Sequence, residues 1–141
     1  MWIYRLTLLL SINIGFLFLS AGMAQTMFPA NVGDNAKYMA VIETPKIYLS
    51  GICMVHHAEN DIIKGSLFNE FGISVLDFSF NLEKDKVKLH HVVKPMDKWY
   101  IRRVLRKDLS CVFHKLQQGN TEYINNKYHL SYQFTPIITD E

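Results

Sequence analysis

The chain lacks the short motifs that mark common catalytic sites. Its 141 residues contain no Gly-x-Ser-x-Gly elbow and no glycine-rich phosphate loop, and no serine or cysteine lies beside a base in a recognisable pattern. A hydrolase or a nucleotide-dependent enzyme needs such an arrangement to activate a nucleophile or to hold phosphate. We therefore expect no catalytic residues and a protein that is not an enzyme.

Metal-ligand spacing is missing as well. Six histidines and two cysteines are present, but neither Cys-x-x-Cys nor His-x-x-x-His occurs. His56 and His57 are adjacent, as are His90 and His91, and neighbours on a strand point to opposite faces. Each pair can therefore offer only one ligand to a common site, and we expect neither a metal nor another cofactor.

Cysteine is too scarce for a disulfide framework, since Cys53 and Cys111 are the only two. An exported protein can oxidise such a pair, but a disulfide demands a short distance between the Cα atoms, which sequence separation does not give. A Cys53–Cys111 bond and two buried free thiols are both open, and we favour the free thiols.

No strong excess of charge exists, because 15 lysines and arginines stand against 13 acidic residues. Removing residues 1–24 would take away Arg5 and leave 14 basic residues. Phosphate binding needs a concentrated basic surface. We therefore expect no nucleic-acid partner.

The N-terminus has the order of a secretory signal. Arg5 is followed by a largely apolar run over residues 6–19 and then by small residues that end at Ala24. This run is shorter than the roughly 20 residues of a membrane-spanning helix, which favours cleavage after Ala24 over a permanent anchor. We expect residues 1–24 to be a signal peptide and residues 25–141 to be a single β-rich domain, periplasmic or otherwise exported.

The clearest alternation of apolar and polar residues lies in residues 65–93, GSLFNEFGISVLDFSFNLEKDKVKLHHVV. Such alternation is typical of half-buried antiparallel strands. The polar stretch at residues 82–85 predicts a hairpin turn. With that turn the apolar face has three cross-strand pairs, Phe80 with Val87, Phe78 with Leu89 and Leu76 with His91.

A second turn is predicted at residues 69–72, where Gly72 can take a positive φ. In the resulting register Lys64, Asp77 and His90 form a row across three strands on the polar face. A cross-strand charge ladder is the commoner use of such a row, so we favour it over an acid/base cluster.

Hydrophobic periodicity changes after Pro95. Apolar residues then recur at the spacing of an amphipathic helix, with Asp97 as its candidate N-cap and Gly119 as its stop. The helical apolar stripe comprises Ile101, Val104, Leu105, Leu109, Val112, Phe113 and Leu116. Basic residues on the opposite face form either a solvated surface or a peripheral contact with anionic lipid head groups.

The remaining segments predict strands. Residues 46–58 form one, and a hairpin turn at Asn125–Asn126 joins two more near the C-terminus, whereas NAKYMAVIE fits either a short helix or a further strand. The predicted fold class is α+β, an antiparallel sheet of about six strands in a meander, packed against one long amphipathic helix.

The run GSLFNEFGISVLDFSFNLEKDKVKLHHVVKPMDKW, within about residues 46–135, resembles the central portion of the LolA/LolB-like lipoprotein-carrier superfamily. That resemblance implies a strongly curved sheet closed by helices, with an apolar cavity that holds lipoprotein acyl chains. The ligand-binding residues it implies here are Leu67, Leu76, Phe78, Phe80 and Leu89. The chain differs from the family in its shorter length and in lacking the lipid-anchor cysteine of the LolB type.

Two functions follow as expectations. The first is an exported envelope protein that binds lipid or lipoprotein acyl chains and takes part in outer-membrane lipoprotein handling. The alternative is a small non-enzymatic envelope protein that binds another protein through its sheet edge or an apolar surface. The apolar face of the sheet is a ligand cavity in the first case and can be simply a packed core in the second.

Overall fold

A computed structural model describes residues 28–138. The predicted signal segment, residues 1–24, lies outside the described residues and stays a prediction. The described part contains seven strands, a short 3₁₀ turn at Lys94–Met96 and one long helix. Their bounds are β1 Asn35–Glu43, β2 Tyr48–Ala58, β3 Ile62–Phe68, β4 Ser74–Asn81, β5 Lys86–Val92, α1 Trp99–Gln117, β6 Glu122–Asn125 and β7 Leu130–Pro136.

All seven strands belong to one sheet in the order β5-β4-β3-β2-β1-β7-β6, and every neighbouring pair is antiparallel. The sheet curls into a half-barrel, with α1 packed against it. The α+β prediction is therefore confirmed. The ambiguous NAKYMAVIE segment is strand β1, which brings the count to seven, and β7 pairs with β1, so the sheet is more than a simple meander.

The β4–β5 hairpin follows the predicted register near its turn. Phe80 lies opposite Val87 and Phe78 opposite Leu89. A bulge between Asp77 and Phe78 then shifts the pairing, so that Leu76 lies opposite Val92 instead of His91. A bulge adds one unpaired residue to a strand and increases its local twist.

The predicted β3–β4 register is wrong by two residues. Lys64 lies opposite Ser79, and Asp77 lies opposite Ser66 on one side and His91 on the other. The connecting loop is longer than predicted, and the pairing shifts again between Leu67 and Phe68. The expected Lys64–Asp77–His90 row is thus not formed, although Gly72 does have the positive φ expected of it, 76°.

The core lies between the concave face of the sheet and α1. Its centre is Phe113, whose ring lies 5.4 Å from that of Phe78 and 5.7 Å from that of Phe80, measured between centroids. Phe28 and Phe134 also contact it, at 6.4 and 6.5 Å. Aromatic pairs at such separations add to the stability gained from burying their area.

A glycine makes room for one of these rings. A Cβ atom built on Gly65 would stand only 2.3 Å from the Phe78 ring. The missing side chain therefore lets the Phe78 ring lie over the neighbouring strand and reach Phe113 on the helix.

The ends of α1 agree only in part with the sequence pattern. Gly119 follows the helix with a φ of 86°, as a helix stop requires. Lys98 occupies the N-cap position and makes no capping hydrogen bond with its side chain, so the predicted Asp97 cap is wrong. The Asp97 carboxylate instead accepts a hydrogen bond from Nε of Arg102.

Both cysteines are free. Cys53 is buried on the concave face of β2, and Cys111 is half-buried on α1. Burial raises the pKa of the Cys53 thiol to about 12, so this thiol stays protonated and unreactive near neutral pH.

Candidate functional site

The five residues that the family resemblance implied lie within the sheet–helix core. Leu67, Leu76, Phe78 and Phe80 are buried, and Leu89 is partly buried against them. Phe78 and Phe80 contact the Phe113 ring on the helix. Their burial contributes to the stability of the domain, while their contact with a ligand stays a prediction.

A groove of about 700 Å³ lies at one end of the half-barrel, away from these five residues. Three segments line it: residues 42–49 of the β1–β2 hairpin, 96–108 around the start of α1, and 123–130 of the β6–β7 hairpin. The segments meet because β1 pairs with both β2 and β7 at this end, with Ile42 opposite Leu49 and Tyr132.

The lining of the groove is mainly apolar. Half-buried side chains include Leu49, Ile101, Val104, Tyr123 and Leu130. Ile101 and Val104 belong to the apolar stripe of α1 but remain only half-buried, because the helix is fully buried against the sheet only from Leu105 onward. An apolar lining of this size is typical of a site for a small apolar ligand.

The exposed lining residues form a surface that we call the mouth of the groove. The mouth comprises Ile47, Trp99, Tyr100, Arg103, Lys107, Lys127 and Tyr128. Aromatic and basic side chains thus both stand at its edge, and the Lys127 ammonium lies 5.3 Å from the centroid of the Tyr128 ring. Such a distance permits a cation–π interaction.

A buried carboxylate lies beside the groove. Asp108 is 1% exposed, and its Oδ2 accepts a hydrogen bond of 2.8 Å from the hydroxyl of Tyr132. The Asn125 side-chain amide donates to Oδ1 at 3.0 Å and to Oδ2 at 3.1 Å. These bonds satisfy the buried carboxylate and tie α1 to the β6–β7 hairpin.

The tyrosines around Asp108 are held in their neutral form. Burial, followed by the Asp108 charge and hydrogen bond, raises the pKa of Tyr132 far above its ordinary value. Burial and the neighbouring Cys111 and Asp108 raise the pKa of Tyr123 to about 12. Tyr132 therefore remains a donor to Asp108 at neutral pH.

A second exposed apolar surface lies on the convex face of the sheet. Met39, Ile52 and Met54 are each close to half exposed on β1 and β2. Met39 lies opposite Ile52, and Ile52 lies opposite Phe68 of β3. We call these four residues the convex patch.

Asp77 lies on the same convex face among serines and histidines. Partial burial alone would raise its pKa, but hydrogen bonds from Ser66 and Ser74, then the charges of His91 and His90, bring it below the ordinary value of 3.8. The Ser74 hydroxyl donates to Oδ1 at 2.7 Å. The arrangement is a local polar network on a sheet surface.

We expect Asp77→Asn to change the acid limb of the stability profile. The lowered pKa means that ionised Asp77 stabilises the fold above pH 3.8 and that this contribution is lost as pH falls through the folded-state value. Thermal unfolding of both proteins above and below pH 3.8 measures it. A stability difference that stays constant across that range would contradict the prediction.

Within residues 28–138, no group of three or more His, Cys, Asp or Glu side chains is placed to hold a metal ion. In the same part of the chain no helix is long and apolar enough to cross a membrane.

Comparisons with known proteins found no match to this chain among protein-family models, curated proteins or solved structures. The groove and its chemistry are therefore the basis for assigning a function.

The pattern of the sequence did not predict the groove, although it contains one signal. Asp108 stands in the middle of the helical apolar stripe, four residues after Val104 and four before Val112. A charged residue at such a position must find buried partners, and here those partners lie on the hairpin that forms one wall of the groove.

Proposed function

We propose that this protein binds an apolar ligand, such as a lipid acyl chain, in the groove between the start of α1 and the open end of the half-barrel. The observation that carries the proposal is the groove itself, about 700 Å³ and lined mainly by apolar and aromatic side chains. Ligand sites commonly have about 300–1,000 Å³ of such space. The predicted signal segment supports a role in the cell envelope, and the family resemblance supports lipoprotein acyl chains as the cargo.

The test is a titration of delipidated protein with a fluorescent fatty acyl probe. Val104→Trp places a bulky ring in the groove lining, and we expect it to weaken binding about tenfold or more while the protein stays folded. One large apolar pocket contact commonly accounts for such a factor. Lys115→Trp is the matched control, since Lys115 is exposed on the same helix outside the lining.

Two further variants sharpen the result. Ile47→Glu puts a charge at a partly exposed lining position and should weaken probe binding without endangering the fold. Phe78→Ala tests the residues implied by the family resemblance. Weaker binding in folded Phe78→Ala, with Val104→Trp unaffected, would place the ligand on the sheet face instead of in the groove.

The convex patch favours a second candidate function, the binding of an apolar surface on another envelope protein. Its side chains are adjacent across three strands, and Met39, Ile52 and Met54 are exposed while Phe68 is half-buried, which leaves an apolar surface of the kind that protein partners cover. No saturable probe binding by folded, delipidated protein would remove the first proposal and leave this one ahead.

A further inference from the structure

We propose that the mouth of the groove docks on the surface of an anionic lipid bilayer. The inference rests on the proposed function in one respect: the groove would then open toward the membrane that contains its acyl ligand. The two proposals are separable by experiment, because binding of an acyl probe can be measured without vesicles and binding to vesicles without a probe.

Exposed aromatic side chains are the first observation. Trp99 is 75% exposed, and Tyr128 is 50% exposed on the opposite wall. Tyr100, also exposed, contacts the Trp99 ring edge-on at 5.8 Å. Tryptophan and tyrosine favour the boundary between lipid head groups and acyl chains, where an apolar ring and a polar tip are both accommodated.

Charge is the second observation. The mouth has three exposed basic residues, Arg103, Lys107 and Lys127. Among the described residues that line the groove, Asp108 is the one acidic residue, and its buried oxygens accept hydrogen bonds from Asn125 and Tyr132. The three positive charges of the mouth exceed the single negative charge of Asp108, and the excess is complementary to anionic head groups.

The presence of both aromatic and basic side chains at the mouth favours a lipid bilayer as its partner. An acidic protein surface would satisfy Arg103, Lys107 and Lys127 but would provide no apolar layer for Trp99. An anionic bilayer provides both within a few ångströms of depth, as interfacial binding by basic and aromatic side chains requires.

Vesicle flotation tests the proposal. The full chain is used in whatever processed form the cells yield, checked by mass spectrometry to be the same in every variant. The vesicles contain three parts phosphatidylcholine to one part phosphatidylglycerol, with pure phosphatidylcholine for comparison. We expect binding to the anionic vesicles that exceeds binding to the neutral ones and falls with added salt.

A charge-matched pair of variants locates the surface. The triple variant Arg103→Gln, Lys107→Gln, Lys127→Gln should bind anionic vesicles roughly 100-fold more weakly, from the usual contribution of three basic residues near such a surface. The control variant Lys84→Gln, Lys86→Gln, Lys88→Gln removes the same charge at the β4–β5 hairpin, outside the groove, and should lose less than about threefold on the same basis. Equal losses in the two variants would overturn the proposal.

Tryptophan fluorescence gives a second readout. In a Trp2→Phe background Trp99 is the one remaining tryptophan, since the sequence has two. Docking should shift its emission to shorter wavelength on anionic vesicles. An unshifted emission with vesicles bound would show that another surface docks, which contradicts the proposal.

The acyl-probe titration, done without vesicles, separates the two ideas. Wild type that binds the probe but no vesicles would end the docking proposal and leave the ligand function intact. Wild type that docks through the mouth but binds no probe would support docking and end the proposed ligand function.

Discussion

Phe113→Ala is expected to lower the free energy of unfolding by roughly 3–5 kcal/mol, the usual cost of removing a buried phenylalanine ring. Phe113 is fully buried, and its ring contacts those of Phe28, Phe78, Phe80 and Phe134. Four aromatic neighbours from different parts of the chain cannot easily collapse into the space. The loss in the free energy of unfolding should therefore lie in the upper half of that range.

Equilibrium denaturation in urea measures the effect as a lower midpoint. Domains of this size are commonly stable by only about 5–15 kcal/mol, so the variant loses a large share of the total. Phe71→Ala is the matched control, because Phe71 is 80% exposed in the β3–β4 loop and its truncation should stay within about 0.5 kcal/mol. A Phe113→Ala midpoint equal to that of wild type would mean that α1 does not pack on the sheet.

The same contacts bear on the predicted ligand residues. Phe78 and Phe80 contact the Phe113 ring, whose removal is expected to lower the free energy of unfolding strongly. Residues in such contacts stabilise the protein whether or not a ligand is present. Their substitution is informative about binding only in variants that remain folded.

Alternation in the sequence was sufficient to assign the two faces of β3 and β4, and those of β5 only as far as Leu89, because the bulge puts His91 opposite Asp77. Side chains on a strand repeat every second residue, so Phe78, Phe80 and Leu89 fall on the apolar face in any register of the right parity. The β3–β4 register nevertheless differs by two residues from the prediction, with Lys64 opposite Ser79. A shift of two preserves every face while it changes every partner.

The bulges explain why the partners could not be predicted. Pairing shifts between Leu67 and Phe68 and between Asp77 and Phe78. The position of a bulge depends on the local twist and on the curvature of the sheet, and neither can be read from the apolar–polar pattern of a sequence.

The groove was not predictable for a different reason. Its three lining segments, residues 42–49, 96–108 and 123–130, are far apart in sequence and meet only because β7 returns to pair with β1. The prediction paired the two C-terminal strands with each other in a hairpin but gave them no neighbour among the other strands. Without that pairing, no periodicity along the chain brings the segments together.

Asp108 contributes both to the shape of the groove and to the stability of the fold. It lies on α1, whereas its hydrogen-bond donors lie on the β6–β7 hairpin. Asn125 has a second role, because its Oδ1 accepts hydrogen bonds from the backbone N–H groups of Lys127 and Tyr128 in the hairpin turn. One carboxylate thus holds in place a wall that contributes side chains to both the lining and the mouth.

Asp108→Ala is therefore expected to destabilise the protein by roughly 2–6 kcal/mol, because it leaves two donors without an acceptor at about 1–3 kcal/mol each. Tyr132 is buried and should account for the larger part, while Asn125 is half-buried and can be hydrated through the groove. Urea denaturation of Asp108→Ala, Tyr132→Phe and the double variant forms a complete cycle. Strictly additive losses would contradict the coupling that the 2.8 Å bond implies.

Binding of the acyl probe shows whether Asp108 also matters for the groove. The variant Asp108→Leu with Tyr132→Phe replaces both partners by apolar groups and should recover much of the lost stability, since no buried donor at residue 132 then lacks an acceptor. It does not restore the bonds from Asn125 that hold the hairpin wall. We therefore expect a folded protein whose affinity for the acyl probe stays several-fold below that of wild type, because a misplaced wall weakens positioning even without loss of fold. Full affinity in that variant would mean that the hairpin keeps its place without Asp108, and that the carboxylate serves the stability of the core alone.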